Sequence, residues 1–250
     1  MLPIQDTVRT RRLPVATWLL VLTNIFVFLI ELACPEPSLE RIFYWFGVVP
    51  RRYTDPVWAA MAGFPRNNYW NLWPFLTSMF LHGGWVHVIG NMWMFWVFGG
   101  TVEGRMGPVR FLLFYLVCGV VASVVHVVLC ANSTVPAIGA SGAISGVLGA
   151  YFFLYPRAGV VVMAPVFFWP VFFAVPAVLY LGLWFVLQFF NGTLALTLPS
   201  AGGGIAWWAH VGGFLAGAVT YPLFTVGRRV SRPHRGEHGL AVGGWSRMRY

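Results

Sequence analysis

Residues 139–156 read Gly139-Ala140-Ser141-Gly142-Ala143-Ile144-Ser145-Gly146-Val147-Leu148-Gly149-Ala150-Tyr151-Phe152-Phe153-Leu154-Tyr155-Pro156, without a single charge. Gly142, Gly146 and Gly149 recur at helical spacing, and a small-residue stripe on an apolar helix suits backbones packed directly against each other, as membrane helices do. Ser141 stands at the opening of this helix, where unpaired N–H groups and the positive end of the dipole favour a developing anion. Gly139 and Gly142 on either side would let another backbone approach closely. Serine also has a plainer use at such a place, as a helix cap.

The rest of the chain agrees with lipid as its solvent. Hydrophobic residues make up 58% and charged residues 9%, against roughly a quarter charged in soluble domains. Apolar runs of about 20 residues, each enough to cross the roughly 30 Å hydrocarbon core, recur along it. They place spans at 16–33, 80–99, 109–130, 140–156, 172–190 and 205–225, an all-α polytopic bundle of six transmembrane helices. Residues 1–15 form an N-terminal segment, 16–225 the six-span domain, and 226–250 a basic tail expected to be disordered or to lie on the lipid surface. The long connection 34–79 is rich in aromatics and is expected to form short helices in the membrane interface. Arg9, Arg11 and Arg12 precede a first run long enough to be an uncleaved helix.

All 16 basic residues are arginine, and they give a formal charge of +9. They sit at the ends and in short loops, with no basic folded face, which argues against nucleic acid as a partner. With the N-terminus inside, Arg105, Arg110, Arg157 and the arginines from Arg228 to Arg249 all face the cytoplasm, while loops 131–139 and 191–204 lie outside uncharged. Both termini are therefore expected in the cytoplasm; the outer connection 34–79, with Arg41, Arg51, Arg52 and Arg66, weighs less because it is long. Cys34, Cys118 and Cys130 make neither a disulfide framework nor a metal-binding spacing.

Polar groups inside spans are costly and therefore informative. The candidates are His82, His87, Asn91, His126, Ser141, Ser145, Gln188 and His210, each of which alone would be read as interhelical hydrogen-bonding glue. Their combination says more. Ala209-His210-Val211-Gly212-Gly213, with Gly217 four residues on, gives span 6 a small-residue face matching that of span 4. Close packing of the two could bring His210 within reach of Ser141, as activation of a serine requires. His87 and Asn91, four residues apart on one helix face, could donate to the oxyanion of a tetrahedral intermediate. His82, nearer the outer end, serves structure or function equally well. The seven acids, Asp6, Glu31, Glu36, Glu40, Asp55, Glu103 and Glu237, all lie outside spans 4 to 6, which disfavours an aspartate-bearing triad or a twin-aspartate protease. No HExxH occurs, against a zinc protease. A Ser–His dyad is left, with amide and imidazole support.

These pieces resemble the rhomboid family of intramembrane serine proteases. The matching residues are His82-x4-His87-x3-Asn91, then Gly99-Gly100-Thr101-Val102-Glu103-Gly104-Arg105-Met106-Gly107, then Gly139-Ala140-Ser141-Gly142, then Ala209-His210-x2-Gly213-x3-Gly217, in the family's order over roughly residues 70–225. The resemblance implies Ser141 as nucleophile, His210 as general base and acid, and His87 with Asn91 as oxyanion donors, with His82 and Gly139 as candidate support. It also implies single-span membrane proteins as substrates, cut near the outer face of a lipid bilayer without a cofactor or metal, and a multi-pass place in a bacterial cytoplasmic (inner) membrane. Two positions depart from the family's habit: Trp73 is followed by Pro74 where Trp-Arg is frequent, and Ser145 stands where an aromatic often stacks on the histidine.

A rhomboid-like pseudoprotease that only binds client helices would be expected to lack the serine or the histidine, and a transporter would need ionisable residues along a path, where spans 4 to 6 offer only His210. Span 5 is the expected moving wall for substrate entry, since Pro165, Pro170 and Pro176 would interrupt its approach and first turns.

Overall fold

The computed structural model describes residues 1–8, 10, 12–65, 71–197 and 205–227. The expected tail, and the arginines from Arg228 to Arg249 within it, lie outside the described residues, as do Arg9, Arg11, Arg66 and the second half of loop 191–204.

The expected spans fall on the helices α1 (Val15–Ala33), α6 (Trp85–Met106), α7 (Pro108–Leu129), α8 (Ser141–Leu154), α9 (Ala177–Thr197) and α10 (Trp207–Thr225). Three of them, α1, α7 and α9, are long and apolar enough to cross a membrane, and α8 is a shorter apolar helix. The described residues of connection 34–79 form the short helices α2 (Glu36–Phe46), α3 (Pro50–Thr54), α4 (Pro56–Met61) and α5 (Pro74–Thr77), followed by a 3₁₀ turn at Ser78–Phe80.

Two helix starts differ from expectation. α6 begins at Trp85, not at residue 80, because Gly84 takes φ 150° and halts any helix before it. His82 consequently sits in the preceding turn and not in a span. α9 begins at Ala177, since residues 159–176 are not helical at all.

They form instead a β-hairpin, β2 (Gly159–Val166) and β3 (Trp169–Pro176), and the N-terminal β1 (Leu2–Asp6) adds to it, giving an antiparallel sheet in the order β1-β2-β3. The all-α expectation is corrected by this sheet, to which Leu2–Asp6 of the N-terminal segment contributes a strand. Val160, Val161 and Val162 with the aromatics of β3 suit a pleated strand better than a helix. Pro165 pairs with Pro170 beyond Met163, where β1 has already ended, so neither proline removes a bond from a three-stranded ladder. None of the three prolines interrupts α9.

Two carboxylates, a buried one on α6 and a half-buried one on β1, tie the elements together. Glu103 of α6 receives the backbone N–H groups of Ala16 (2.9 Å) and Thr17 (2.7 Å) and the Thr17 hydroxyl (2.8 Å), which satisfies the orphan donors at the start of α1. Asp6 accepts from the hydroxyls of Thr101 (2.6 Å) and Tyr151 (2.9 Å), docking β1 onto α6 and α8. The aromatic side chains of Phe95, Phe98, Phe111, Phe114, Tyr115 and Tyr151 fill the space between helices and are fully buried.

The connection before α6 is ordered around Arg52, which is 1% exposed. Its guanidinium lies 4.5 Å from the ring centre of Phe64 and within 6 Å of Trp45 and Tyr53, and it donates to the Trp45 carbonyl at 3.2 Å. Pro74 occupies the first position of α5, which it suits because no N–H is needed there.

Candidate active site

The seam between α8 and α10 is backbone against backbone. A Cβ added at Gly213 would overlap the Gly142 carbonyl oxygen, and one at Gly217 would overlap that of Gly146. On the other helix, a Cβ at Gly149 would overlap the Phe214 carbonyl oxygen. Only glycine permits this approach, and the approach decides how close the side chains at the top of the two helices can come.

They come to hydrogen-bond distance: His210 Nε2 lies 2.8 Å from Ser141 Oγ. Ser141 is the first helical residue of α8, the capping position belongs to Ala140, and no side-chain cap bond is made there. The serine hydroxyl is thus free of the capping duty that a serine at a helix start usually performs. Ser145, one turn further in and 1% exposed, gives its hydroxyl to the Ser141 carbonyl.

His87 and Asn91 lie on one face of α6 beside Gly139. Gly139 takes φ 119°, and a Cβ there would stand 2.6 Å from His87 Nε2 and 3.4 Å from Asn91 Nδ2. Its N–H is held by the Ser78 carbonyl at 2.8 Å, and the segment before it is clamped by reciprocal bonds between Val48 and Ala137 of 3.0 and 2.8 Å. The first connection therefore buttresses the chain leading into Ser141. Asn91 Nδ2 is buried without a hydrogen-bond partner, an exceptional state for a buried amide. His87 Nδ1 accepts from the Gly83 N–H at 3.4 Å, which leaves the ring proton on Nε2, the nitrogen nearest Gly139.

His82 is joined to this cluster through its neighbours. Its ring centre is 5.1 Å from that of His87, both its ring nitrogens lack partners, and its backbone N–H donates to the Glu31 carboxylate at 3.1 and 3.3 Å. Glu31 is 3% exposed, so this acid of α1 pins the turn that aims α6. His126 is buried in α7 with an unpartnered Nδ1. Among the described residues, no group of three or more His, Cys, Asp or Glu side chains could hold a metal ion.

Sequence reasoning named Gln188 as a polar group in a span but gave it no part in the site. Its Oε1 lies 2.7 Å from His210 Nδ1. The signal was present, a polar residue at a buried position of an apolar helix, but nothing in the order of residues says which neighbour it meets. Glu31 and the Arg52 cage were likewise unassigned.

Apolar helices around a partly buried serine–histidine contact define a class of helical membrane protein, and residues 69–226, more than half of the chain, match the family model described as the Rhomboid domain; the chain belongs to the rhomboid family. Among curated relatives, it is 42% identical to the rhomboid protease GluP of Bacillus subtilis (strain 168) over 82 residues, 33% of this chain and 16% of GluP. It is 29% identical to the putative rhomboid protease YdcA of the same organism over 121 residues, 47% of this chain and 59% of that protein. The mitochondrial RHOMBOID-like protein 6 of Arabidopsis thaliana is 36% identical over 78 residues, 31% of this chain and 25% of that protein. The chain thus spans between a sixth and three-fifths of the length of these relatives.

Proposed function

We propose that this protein is an intramembrane serine endopeptidase that cuts transmembrane segments of other membrane proteins near the outer membrane face. The observation that carries the reading is the 2.8 Å contact between Ser141 Oγ and His210 Nε2 at the start of an apolar helix. His210 takes the hydroxyl proton as Ser141 attacks the scissile carbonyl, then gives that proton to the leaving amine. The resulting acyl-enzyme is opened by water, with His210 again as base. The oxyanion is met by the N–H groups at the start of α8, by His87 Nε2–H and by the unpartnered Asn91 Nδ2. His82 and Gly139 shape the turn and the backbone beside these donors.

The architecture proposed with it is six spans with both termini in the cytoplasm, a multi-pass protein of a bacterial cytoplasmic membrane, with single-span proteins as substrates and no cofactor. This orientation puts the N-terminus of α8 outside and the sheet on the cytoplasmic side. The relatives named rhomboid proteases, GluP and YdcA, support the activity.

The test is purified protein in detergent with a fluorescent fragment spanning a substrate helix and no added metal. Cleavage that disappears in Ser141→Ala is the expected result. Binding of the fragment without cleavage by the unaltered protein would replace the reading with that of a pseudoprotease.

A further inference from the structure

The His210 ring hydrogen-bonds to Ser141 on one side and to Gln188 on the other. α9 buries few of its residues, namely Ala177, Leu181, Gln188 and Gly192, and Gln188 is the one polar side chain large enough to reach across. Its amide oxygen lies 2.7 Å from Nδ1 while Nε2 faces the serine at 2.8 Å. An imidazole that receives the serine proton on Nε2 must carry its own proton on Nδ1, and that N–H donates to Oε1. The opposite tautomer would set the Nδ1 lone pair against the amide oxygen and an N–H against the hydroxyl. α8 contributes nothing else to steady the ring, because the Ser145 hydroxyl is bound to the Ser141 carbonyl. Trp184 and Trp207 lie 6.1 Å from it, centre to centre, and confine it without fixing its tautomer.

We infer that Gln188 is a positioning residue for His210, holding the Nδ1–H tautomer and aiming Nε2 at Ser141 from a helix other than the two that carry the dyad. The inference rests on the reading of Ser141 and His210 as nucleophile and base. The place is the one that a carboxylate takes in a three-residue relay. A neutral amide fills it without putting an unpaired charge inside the bilayer. It supplies orientation and little charge stabilisation. A second bond one turn away, from Trp208 Nε1 to the Gly192 carbonyl at 3.0 Å, holds the same face of α9 to α10, so the placement of α9 enters the alignment of the base.

The experiment compares Gln188→Leu, Gln188→Asn and Gln188→Glu with the unaltered protein and with Ser141→Ala, all as full chains in detergent. Two rates are read: cleavage of a substrate helix, resolved into kcat and KM, and covalent labelling of Ser141 by a small fluorophosphonate, which needs no helix to enter. Leu, which lacks an acceptor, and Asn, which is too short to reach, lower kcat and the labelling rate by roughly two- to tenfold, the size of one net hydrogen bond, with KM little changed. Glu, of the same length and with an acceptor oxygen, recovers most of both rates. A packing role predicts the reverse order, since leucine suits an apolar helix and a buried carboxyl does not; Leu faster than Glu would overturn the inference. So would a wild-type labelling rate in Gln188→Asn, which keeps the test open if the Leu variant does not fold. Cleavage by Ser141→Ala would remove the underlying reading instead, whereas an inactive Ser141→Ala beside an unimpaired Gln188→Leu removes only this inference.

Discussion

Ser145 donates its hydroxyl to the backbone carbonyl of Ser141 at 2.6 Å, so of the two serines in α8 only Ser141 has its hydroxyl directed at an imidazole. Ser141→Ala and His210→Ala are each expected to abolish cleavage of a substrate helix while the protein still accumulates in the membrane. Ser145→Ala should retain it. A gel-based cleavage assay in detergent decides the matter, and activity in Ser141→Ala together with loss in Ser145→Ala would reassign the nucleophile.

Asn91 has a buried amide nitrogen with nothing to donate to. A donor waiting for a charge that exists only in the transition state affects turnover more than binding. Asn91→Ala should lower kcat by about a hundredfold or more and leave KM nearly unchanged. A rise in KM alone would make it a packing or binding residue.

Glu103 satisfies three donors at the start of α1 from the far end of α6. Removing it leaves buried N–H groups unpaired, at a cost of about 1–3 kcal/mol each way the group is counted. Glu103→Ala should therefore unfold at a distinctly lower temperature in detergent, with the Ser141 labelling rate preserved below that temperature. An unchanged melting curve would mean that the start of α1 is held by something else.

Topology is open to reporters. Fusions at Met1 and Tyr250 should read cytoplasmic, and one at Asn132 should read outside. An outside C-terminus would break the six-span arrangement and move Ser141 away from the outer face.

Entry of a helical substrate requires one wall of the bundle to yield. α9 remains the candidate, though not for its prolines: 22% of its apolar stretch is buried, against 39% for α1 and for α7. A disulfide engineered between the outer ends of α9 and α6 should block cleavage of a membrane substrate, with reductant restoring it. Full activity in the verified cross-linked form would exclude this gate.

What could be read in the residue order was what depends on residue type and short spacing. Glycines four residues apart announced the α8–α10 contact, and the serine and histidine beside those glycines announced their meeting. Glu103 is 86 positions from Thr17 and Glu31 is 51 from His82, and no local pattern links partners so far apart. The hairpin was hidden for another reason. Residues 158–176 contain no charge and run directly into α9, so hydropathy joins strand and helix into one apolar block. Gln188 was visible as an oddity, but its meaning depends on how α9 is rotated about its axis, which an apolar helix leaves almost unmarked.

The glycine seam sets Ser141 and His210 apart by atoms that have no rotamers, since Gly213 and Gly217 lie directly on the carbonyls of Gly142 and Gly146. In mechanical terms the pair has one stiff coordinate, the separation of its two helices, and one compliant coordinate, the rotation of the imidazole. The stiff one belongs wholly to α8 and α10. The bundle can thus deform around a large guest at its periphery while the spacing of the two helices that carry the reacting groups stays constant, and what such a deformation reaches is the rotation of the imidazole.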